Sequence, residues 1–351
     1  MKTVTMEEVL SILDKAKTVA ICSHVNPDGD ALGSSLALAT LLRARGCEVT
    51  CLLAQEQPAP GLYAFLDDYS FVSASSYTET PDLFIALDVP KAARLGGGNA
   101  VLERSPHSLC IDHHPDYDGF SESYFGNSSA AATSSIVWSI IKASGVPVTK
   151  AMADFCYIGL MTDTGCFSFQ NTDEQAFRDA ADMVAHGVDP SFLSMMVYES
   201  KSMNLLELES RLINRIRFSP NKMIVYSWVN EQDFRELGIS RDDTEGLPTI
   251  LRSIAGAEVS LLLRQEKGSV RANMRSRGSL DVGALARSFG GGGHKAASGA
   301  TFKSSLDETI KTLLAAIENL ENYKQACAEI SAEVSAEACA DACADASVER
   351  S

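Results

Sequence analysis

The stretch Thr18-Val-Ala-Ile-Cys-Ser-His-Val-Asn-Pro-Asp-Gly-Asp-Ala-Leu-Gly-Ser-Ser35 decides the fold. It opens as a short β-rich run, Thr18 to Ser23, passes through a polar loop tightened by Pro27 and Gly29, and enters a helical pattern from Ala31 to Arg45. The same unit recurs. Glu48 to Leu53 and Leu83 to Leu87 read as strands, and Ser108 to Ile111 is a fourth apolar run. Helices are expected at 131–143, 151–161 and 173–186, the last ending at Gly187. Strands alternating with helices over residues 1–190 predict an α/β domain with a mainly parallel sheet flanked by helices.

Chemistry-bearing side chains follow the strand patterns. His24, Asp28 and Asp30 come after the first, Asp88 after the third, and Asp112-His113-His114 close the fourth. Open α/β sheets gather ligands outside the carboxyl ends of their strands, so these dispersed groups should converge. Asp163 follows a helical run and precedes Gly165. Each group has a plainer reading on its own: a solvated acidic loop for Asp28 and Asp30, a local cap for Asp88 and Asp163, a structural pair for the histidines. Together they are what two adjacent divalent ions need. Adjacent residues on an extended segment face opposite ways, so His113 and His114 are expected to diverge, one toward a metal and the other toward substrate. The free N–H groups at the start of the helix after Asp30 favour an anion.

Composition narrows the class. At 351 residues and 45% hydrophobic content, the chain is long enough for two or three domains with real cores. No stretch approaches the roughly 20 apolar residues of a membrane span, and the first residues lack the apolar core of a signal peptide. Nine cysteines without a CxxC spacing fit a reducing cytoplasm better than a disulfide framework. Cys166, close to Asp163, is expected to pack behind the site. The net charge of -16 is uneven: residues 261–303 hold Arg264, Lys267, Arg271, Arg275, Arg277, Arg287, Lys295 and Lys303 against Glu266 and Asp281. A small cationic surface on an acidic protein suits a short anionic ligand, not a long duplex.

Residues 191–217 read as a helical connector, and 218–322 as a smaller α+β domain. Its expected strands are 222–229, 257–264 and 269–275, the last two flanking a hairpin turn at Gln265-Glu-Lys-Gly268. A helix from about Leu306 to Glu321 closes it. Gly290 to Gly293 precede His294, and such a run lets backbone N–H groups approach a phosphate. Arg275-Ser276-Arg277 adds forked donors, although Arg277 and Lys295 equally suit solvated surface charges. Residues 323–351 form an acidic low-complexity tail with an acid at every fourth position from Glu329 to Glu349. Like charges at that spacing repel, and the expectation is a frayed helix or disordered tail. Cys327, Cys339 and Cys343 offer it a remote metal-binding alternative.

SHVNPDGDALGSS, LDVP, IDHH and MTDTG, in that order, resemble the successive motifs of the DHH phosphoesterase family. FGGGGHKAASG at 289–299 resembles the signature of its DHHA1 domain. The combination is similar to the family's bacterial stand-alone members, which join oligoribonuclease and phosphoadenosine phosphate phosphatase activities. The resemblance spans about residues 1–322 and implies an active site in the cleft between the two domains. It further implies that His24 and Asp28 hold one ion, that Asp30, His113 and Asp163 hold the second, and that Asp88 bridges both. Asp112 would orient an imidazole, and His114 would contact the scissile phosphate or protonate the leaving group. Arg275, Ser276, Gly291, Gly292, Gly293 and His294 would bind substrate.

Mn(II) is the metal the resemblance implies, and a mixed His/carboxylate set independently suits it. The expected function is Mn-dependent hydrolysis of short RNA to mononucleotides, together with removal of the 3'-phosphate of phosphoadenosine phosphate. Hydrolysis of cyclic dinucleotides or of linear pApA is the nearest alternative, and a non-catalytic nucleotide sensor is the alternative of another class. A cytoplasmic location and no membrane partner are expected; a homodimer is left open.

Overall fold

The structure, a computed structural model, describes residues 1–57, 63, 65, 70–240, 244, 246–278, 280–321 and 323–325. The acidic tail and its three cysteines lie beyond the described residues from 326 onward. The chain divides into two compact units, Met1–Ser200 and Lys201–Ser351.

The first unit is built on a sheet of seven strands among the described residues, ordered β1-β7-β6-β5-β2-β3-β4. These are β1 (Lys2–Thr3), β2 (Thr18–Cys22), β3 (Glu48–Leu53), β4 (Phe71–Ser73), β5 (Leu83–Leu87), β6 (His107–Asp112) and β7 (Ser123–Gly126). Every pairing in it is parallel. The helices are α1 (Met6–Lys15), α2 (Gly29–Ala44), α3 (Gly98–Arg104), α4 (Thr133–Ala143), α5 (Lys150–Asp163), α6 (Glu174–Ala185) and α7 (Pro190–Ser194). Both faces of the sheet are covered, so its central strands are apolar throughout: all five residues of β5 are buried.

Strand order carries the functional information. From β2 the chain steps outward to β3 and β4, then returns to place β5 on the other side of β2. The order therefore reverses between β2 and β5, whose carboxyl ends are where such sheets open a binding crevice.

Helix α2 is buried around most of its circumference, from Gly29 through Ala39 and at Leu41 and Leu42. It packs tightly on α5. A Cβ on Gly33 would sit 2.4 Å from the Phe155 carbonyl oxygen, and one on Gly159 would sit 2.2 Å from Ser134 Oγ. Small residues thus let three helices, α2, α4 and α5, approach behind the sheet's carboxyl edge.

The second unit contains α8 (Met203–Asn214), α9 (Glu231–Leu237), α10 (Leu247–Arg252), α11 (Val282–Ser288) and α12 (Leu306–Glu318). Its strands are β8 (Arg217–Phe218), β9 (Ile224–Asn230), β10 (Val259–Glu266), β11 (Ser269–Ser276), β12 (Gly292–Gly293) and β13 (Ala297–Phe302), in the order β12-β13-β11-β10-β9-β8. The β9–β10 pairing is parallel and the others are antiparallel. In the β10–β11 hairpin Glu266 faces Ser269, so Lys267 and Gly268 form the turn, with Gly268 at φ +79°.

The helical segment expected at 191–217 divides between the units. Proline opens α7, a π-turn runs from Met195 to Glu199, and α8 restarts after the Ser202 cap. Leu208 and Leu212 of α8 belong to a core with Val225, Val229 and Leu262 of the second sheet.

Candidate metal centre

Three strand ends and three helices converge at the crevice. Cys22 ends β2 and His24 follows two residues later; Leu87 ends β5 and Asp88 follows directly; Asp112 is the last residue of β6 and leads into His113 and His114. Asp28 is the N-cap of α2, its Oδ1 accepting the N–H groups of Asp30 and Ala31 at 3.1 and 3.0 Å. That cap turns Oδ2 toward His24, 3.7 Å from Nε2. His24 Nε2 also lies 3.3 Å from Asp88 Oδ2.

Asp88 is the hub. Its Oδ1 lies 3.5 Å from His113 Nε2 and 3.4 Å from His114 Nδ1. The Thr133 hydroxyl donates to the same oxygen at 3.1 Å. Asp88 has φ +61°, a left-handed conformation that costs a non-glycine residue energy and tends to be kept where function needs the side chain aimed.

Asp30 is held by the start of α4. Thr133 N–H donates to Oδ2 at 2.7 Å, Ser134 N–H to Oδ1 at 2.9 Å, and the Ser134 hydroxyl also donates to Oδ1. Helix N-termini favour such an anion. Asp163, the final residue of α5, sits instead at a helix C-terminus, where a carboxylate is disfavoured and a cation is welcome. His113 Nε2 is 3.5 Å from Asp163 Oδ2.

The imidazoles are oriented by their other nitrogens. His24 Nδ1 is 2.9 Å from the Val25 carbonyl oxygen and His113 Nδ1 is 3.2 Å from that of Ala130, so in both rings Nδ1 donates a hydrogen and Nε2 is the nitrogen turned to the carboxylates. His114 Nδ1 bonds Asp112 Oδ1 at 2.8 Å. The expected divergence of His113 and His114 is not what the chain does. Both rings turn to Asp88 and meet edge to face, with centroids 4.7 Å apart, because the extended strand ends at Asp112 and no longer imposes alternation.

Two of the donor groups that result match the expected ligands. One ligand atom each from His24, Asp28 and Asp88 lies within 4.8 Å of the others, and so do those of Asp30, His113 and Asp163; Asp88, Asp112 and His114 form a further group of this kind. Their electrostatics is that of an anion-rich pocket. Burial and the nearby charge of Asp88 push the Asp30 carboxyl up to about 7. Burial, with Asp30, Asp28 and Asp88 around it, drives Asp163 well above the ordinary range. Burial opposes the charge on Asp88 too, but bonds and attraction from His24, His114 and His113 win and hold it well below its usual value. Burial and Arg94 oppose protonation of His24, yet Asp28 and Asp88 hold it up at about 9. Asp112 Oδ2 is buried with no hydrogen-bond partner among the described residues. Carboxylates that repel one another, imidazoles that present a lone pair once deprotonated and an orphaned acceptor are the donor set of divalent cations, and the residues fit two such ions.

Sequence reasoning missed Thr133, Ser134 and Gly159. The first two open α4 and donate to Asp30 and Asp88, with no acidic or basic label to flag them. Gly159 has no ligand atom; it leaves the space in which Asp30 turns, since a Cβ there would lie 2.6 Å from Asp30 Oδ1. Cys166, expected to pack behind the site, is exposed on a left-handed turn at φ +56°.

The substrate-binding expectations fall on the second unit. Arg275, half-buried near the end of β11, donates from one guanidinium nitrogen to the Met274 carbonyl oxygen at 3.1 Å. Ser276 is 1% exposed; its hydroxyl donates to Glu258 at 3.2 Å and accepts Gly278 N–H at 3.0 Å, so this side chain braces a turn. Arg277 donates to the carbonyl oxygens of Arg252 and Ile254 at the end of α10. In the glycine run, Gly291 and Gly293 back directly onto β13, where a Cβ would meet Gly299 O at 2.2 Å and Ala297 O at 2.6 Å. Gly292 has open space in that direction. His294 follows at the end of β12, partly exposed.

Known proteins resemble this chain. The chain is 30% identical over 85% of its length, and 89% of the relative's, to the bifunctional oligoribonuclease and PAP phosphatase NrnA of Thermus thermophilus. The profile of the DHH family, N-terminal domain, matches residues 18–160, and that of the DHHA1 domain matches residues 221–322. The chain belongs to the DHH family. Another DHH-type relative, the NrnA of Bacillus subtilis described by the same two activities, is 28% identical over 89% of this chain and 97% of its own. Among solved structures, an exopolyphosphatase-related protein from Bacteroides fragilis superposes with a TM-score of 0.82 at 25% identity, covering 92% of this chain and 97% of that one. RecJ from Thermus thermophilus, solved in complex with Mn2+, shares the fold at 14% identity and a TM-score of 0.52, covering 92% of this chain and 55% of its own.

Proposed function

We propose that this DHH chain is a metal-dependent phosphoester hydrolase that degrades short oligoribonucleotides to mononucleotides and removes the 3'-phosphate of phosphoadenosine phosphate. The observation that carries the reading is the doubled donor set around Asp88, joined to relatives named for these two activities over most of their length.

His24 and Asp28 would hold one ion, Asp30, His113 and Asp163 the other, with one oxygen of Asp88 directed at each group. Bound there, the two ions would supply positive charge to the phosphoryl oxygens and lower the pKa of water. Mn(II) suits this mixed nitrogen and oxygen set. His114 is the residue of the chain best suited to the leaving oxygen: Asp112 fixes its Nδ1, so Nε2 can hold the proton to be delivered. Thr133 and Ser134 keep Asp88 and Asp30 aimed. Burial of Asp112, His113 and His114 keeps bulk water away from the reacting groups.

The DHHA1 unit would recognise the rest of the substrate through Arg275, Gly291, Gly292, Gly293 and His294, with Ser276 bracing the turn that follows β11 through Glu258 and Gly278. Gly292 supports this: neither a positive φ nor a packed neighbour requires glycine there, whereas close approach of a ligand does. Free thiols at every described cysteine support a reducing, cytoplasmic setting. No described helix is long and apolar enough to cross a membrane.

The test is turnover of a diadenylate and of phosphoadenosine phosphate by the full chain with Mn(II), with and without a chelator. Metal-dependent release of AMP and phosphate is expected. Binding of either nucleotide without hydrolysis would favour a sensor.

A further inference from the structure

The three ligands proposed for the second ion are not held alike. Asp30 accepts from Thr133 and Ser134, and His113 Nδ1 donates to the Ala130 carbonyl oxygen, so both lean on the segment 130–134 that leads into α4. Asp163 comes from another element, the end of α5. Apart from the His113 ring, its carboxylate has no hydrogen-bond or ion-pair partner among the described residues. Its position therefore depends on the backbone that carries it.

Asn171 ties that backbone down. Its Nδ2 donates to the Asp163 carbonyl oxygen at 3.1 Å and to the Ala131 carbonyl oxygen at 2.9 Å. Two carbonyl partners fix the orientation of the amide, since only its NH2 end can donate. One side chain thus joins the end of α5 to the segment that holds His113 and Asp30. The chain takes a strained route to bring it there. Gly165, Cys166 and Phe167 are consecutive left-handed residues, at φ +55°, +56° and +60°. Two of them carry side chains, and such backbone persists only where its surroundings over-determine it. The Thr164 hydroxyl accepts Phe167 N–H at 3.2 Å, and the Thr164 carbonyl oxygen accepts those of Ser168 and Phe169, both at 2.9 Å. The Phe169 ring lies so close over Gly165 that a Cβ there would be 2.2 Å away. The plainer reading of Asn171 is a cap, because a helix leaves its last carbonyl groups without partners. A cap needs one bond, and that reading leaves the second, to Ala131 40 residues away in sequence, unexplained.

We propose that Asn171 is a positioning residue that sets Asp163 against His113 and Asp30, and so governs affinity for the second ion without governing the first. The proposal rests on the two-ion reading above. Groups that orient ligands without touching the metal change its affinity by about 10–100-fold when removed. His24 and Asp28, the ligands proposed for the first ion alone, bond to neither Asn171 nor residues 130–134 among the described residues. Asn171 is itself exposed, so its two bonds compete with water and add little to global stability.

The experiment compares the full chain with its Asn171→Ala and Asn171→Gln variants, the second keeping the amide on a longer stem. It measures Mn(II) binding by calorimetry, the Mn(II) electron paramagnetic resonance spectrum, kcat and KM for phosphoadenosine phosphate, and the thermal midpoint without metal. Asn171→Ala should weaken one of the two ions about tenfold or more and leave the other unchanged. With two equivalents of Mn(II), isolated ions should appear beside the coupled pair that the wild type forms. At limiting Mn(II) kcat should fall, recovering as the metal is raised, while KM holds. Asn171→Gln should fall between the wild type and Asn171→Ala. The metal-free midpoint should stay within about 4 °C. Unchanged affinities overturn the proposal. Equal weakening of both ions, or a larger drop in the midpoint, marks Asn171 as structural and also overturns it. A wild type that binds two ions without hydrolysis overturns the function reading alone, and the metal titration still decides Asn171. A wild type that binds fewer than two overturns the metal centre and this proposal together.

Discussion

His24 and Asp88 meet across the one place where the strand order of the first sheet reverses, with Nε2 and Oδ2 3.3 Å apart. They come from strands that are neighbours in space and separated in sequence by two others. The parallel β2–β5 register, Cys22 opposite Ala86, brings both residues out at the same edge.

Asp88 faces both donor groups, so its removal should be felt by both ions. Asp88→Ala is expected to abolish turnover, a loss of about a thousandfold or more, and to remove Mn(II) binding while circular dichroism stays native. His113→Ala should do the same to activity. Near-wild-type rates in either variant with metal present would show the assignment of ligands to be wrong.

Gly159 tests the geometry behind the ligands. Its Cβ in Gly159→Ala would sit 2.2 Å from Ser134 Oγ and 2.6 Å from Asp30 Oδ1. The substitution should destabilise the first unit by about 1–3 kcal/mol through overpacking. It should weaken metal binding about tenfold or more by displacing Asp30. Thermal melting and Mn(II) titration read the two effects separately.

Metal binding should release protons. His24 is held protonated up to about 9 and Asp30 up to about 7, whereas both bind a cation only when deprotonated. Affinity for Mn(II) is therefore expected to rise as pH increases from 6 to 9. Calorimetry at pH 7 in buffers of different ionisation enthalpy should detect a net release. A pH-independent affinity would contradict this account of the pocket.

The second unit has its own acid-side linkage. Burial would raise the Asp233 carboxyl, but Arg215, the Asn230 N–H and Arg211 override it and hold it at about 2. A carboxyl depressed in the folded state stabilises fully above its unfolded value, near 3.9, and loses that contribution as pH falls through about 2. Asp233→Asn should therefore lower stability at pH 7 and flatten its dependence below pH 4. Urea unfolding at pH 7 and pH 3 measures both.

Much of this was legible in the residues. The short apolar runs at Thr18–Cys22 and Leu83–Leu87, with His24 and Asp88 just beyond them, define the edge where the site forms. Motif spacing reached the ligand types because each lies at or beside an element end. The supporting groups were hidden. Thr133 and Ser134 act partly through backbone N–H groups, which every residue has, and Gly159 acts by lacking a side chain. β1, two residues long, and β4, three, offer no periodicity to read. The mutual approach of His113 and His114 depends on where β6 stops, which composition does not specify.

The most direct test of the central claim is a length series: kcat/KM with Mn(II) for RNAs of two to five residues and for longer strands, alongside phosphoadenosine phosphate and pApA. The account predicts the highest values for the shortest RNAs, measurable 3'-phosphate removal, and no gain with length. A rate that climbs beyond five residues, or nucleotide binding without any metal-dependent hydrolysis, would contradict it.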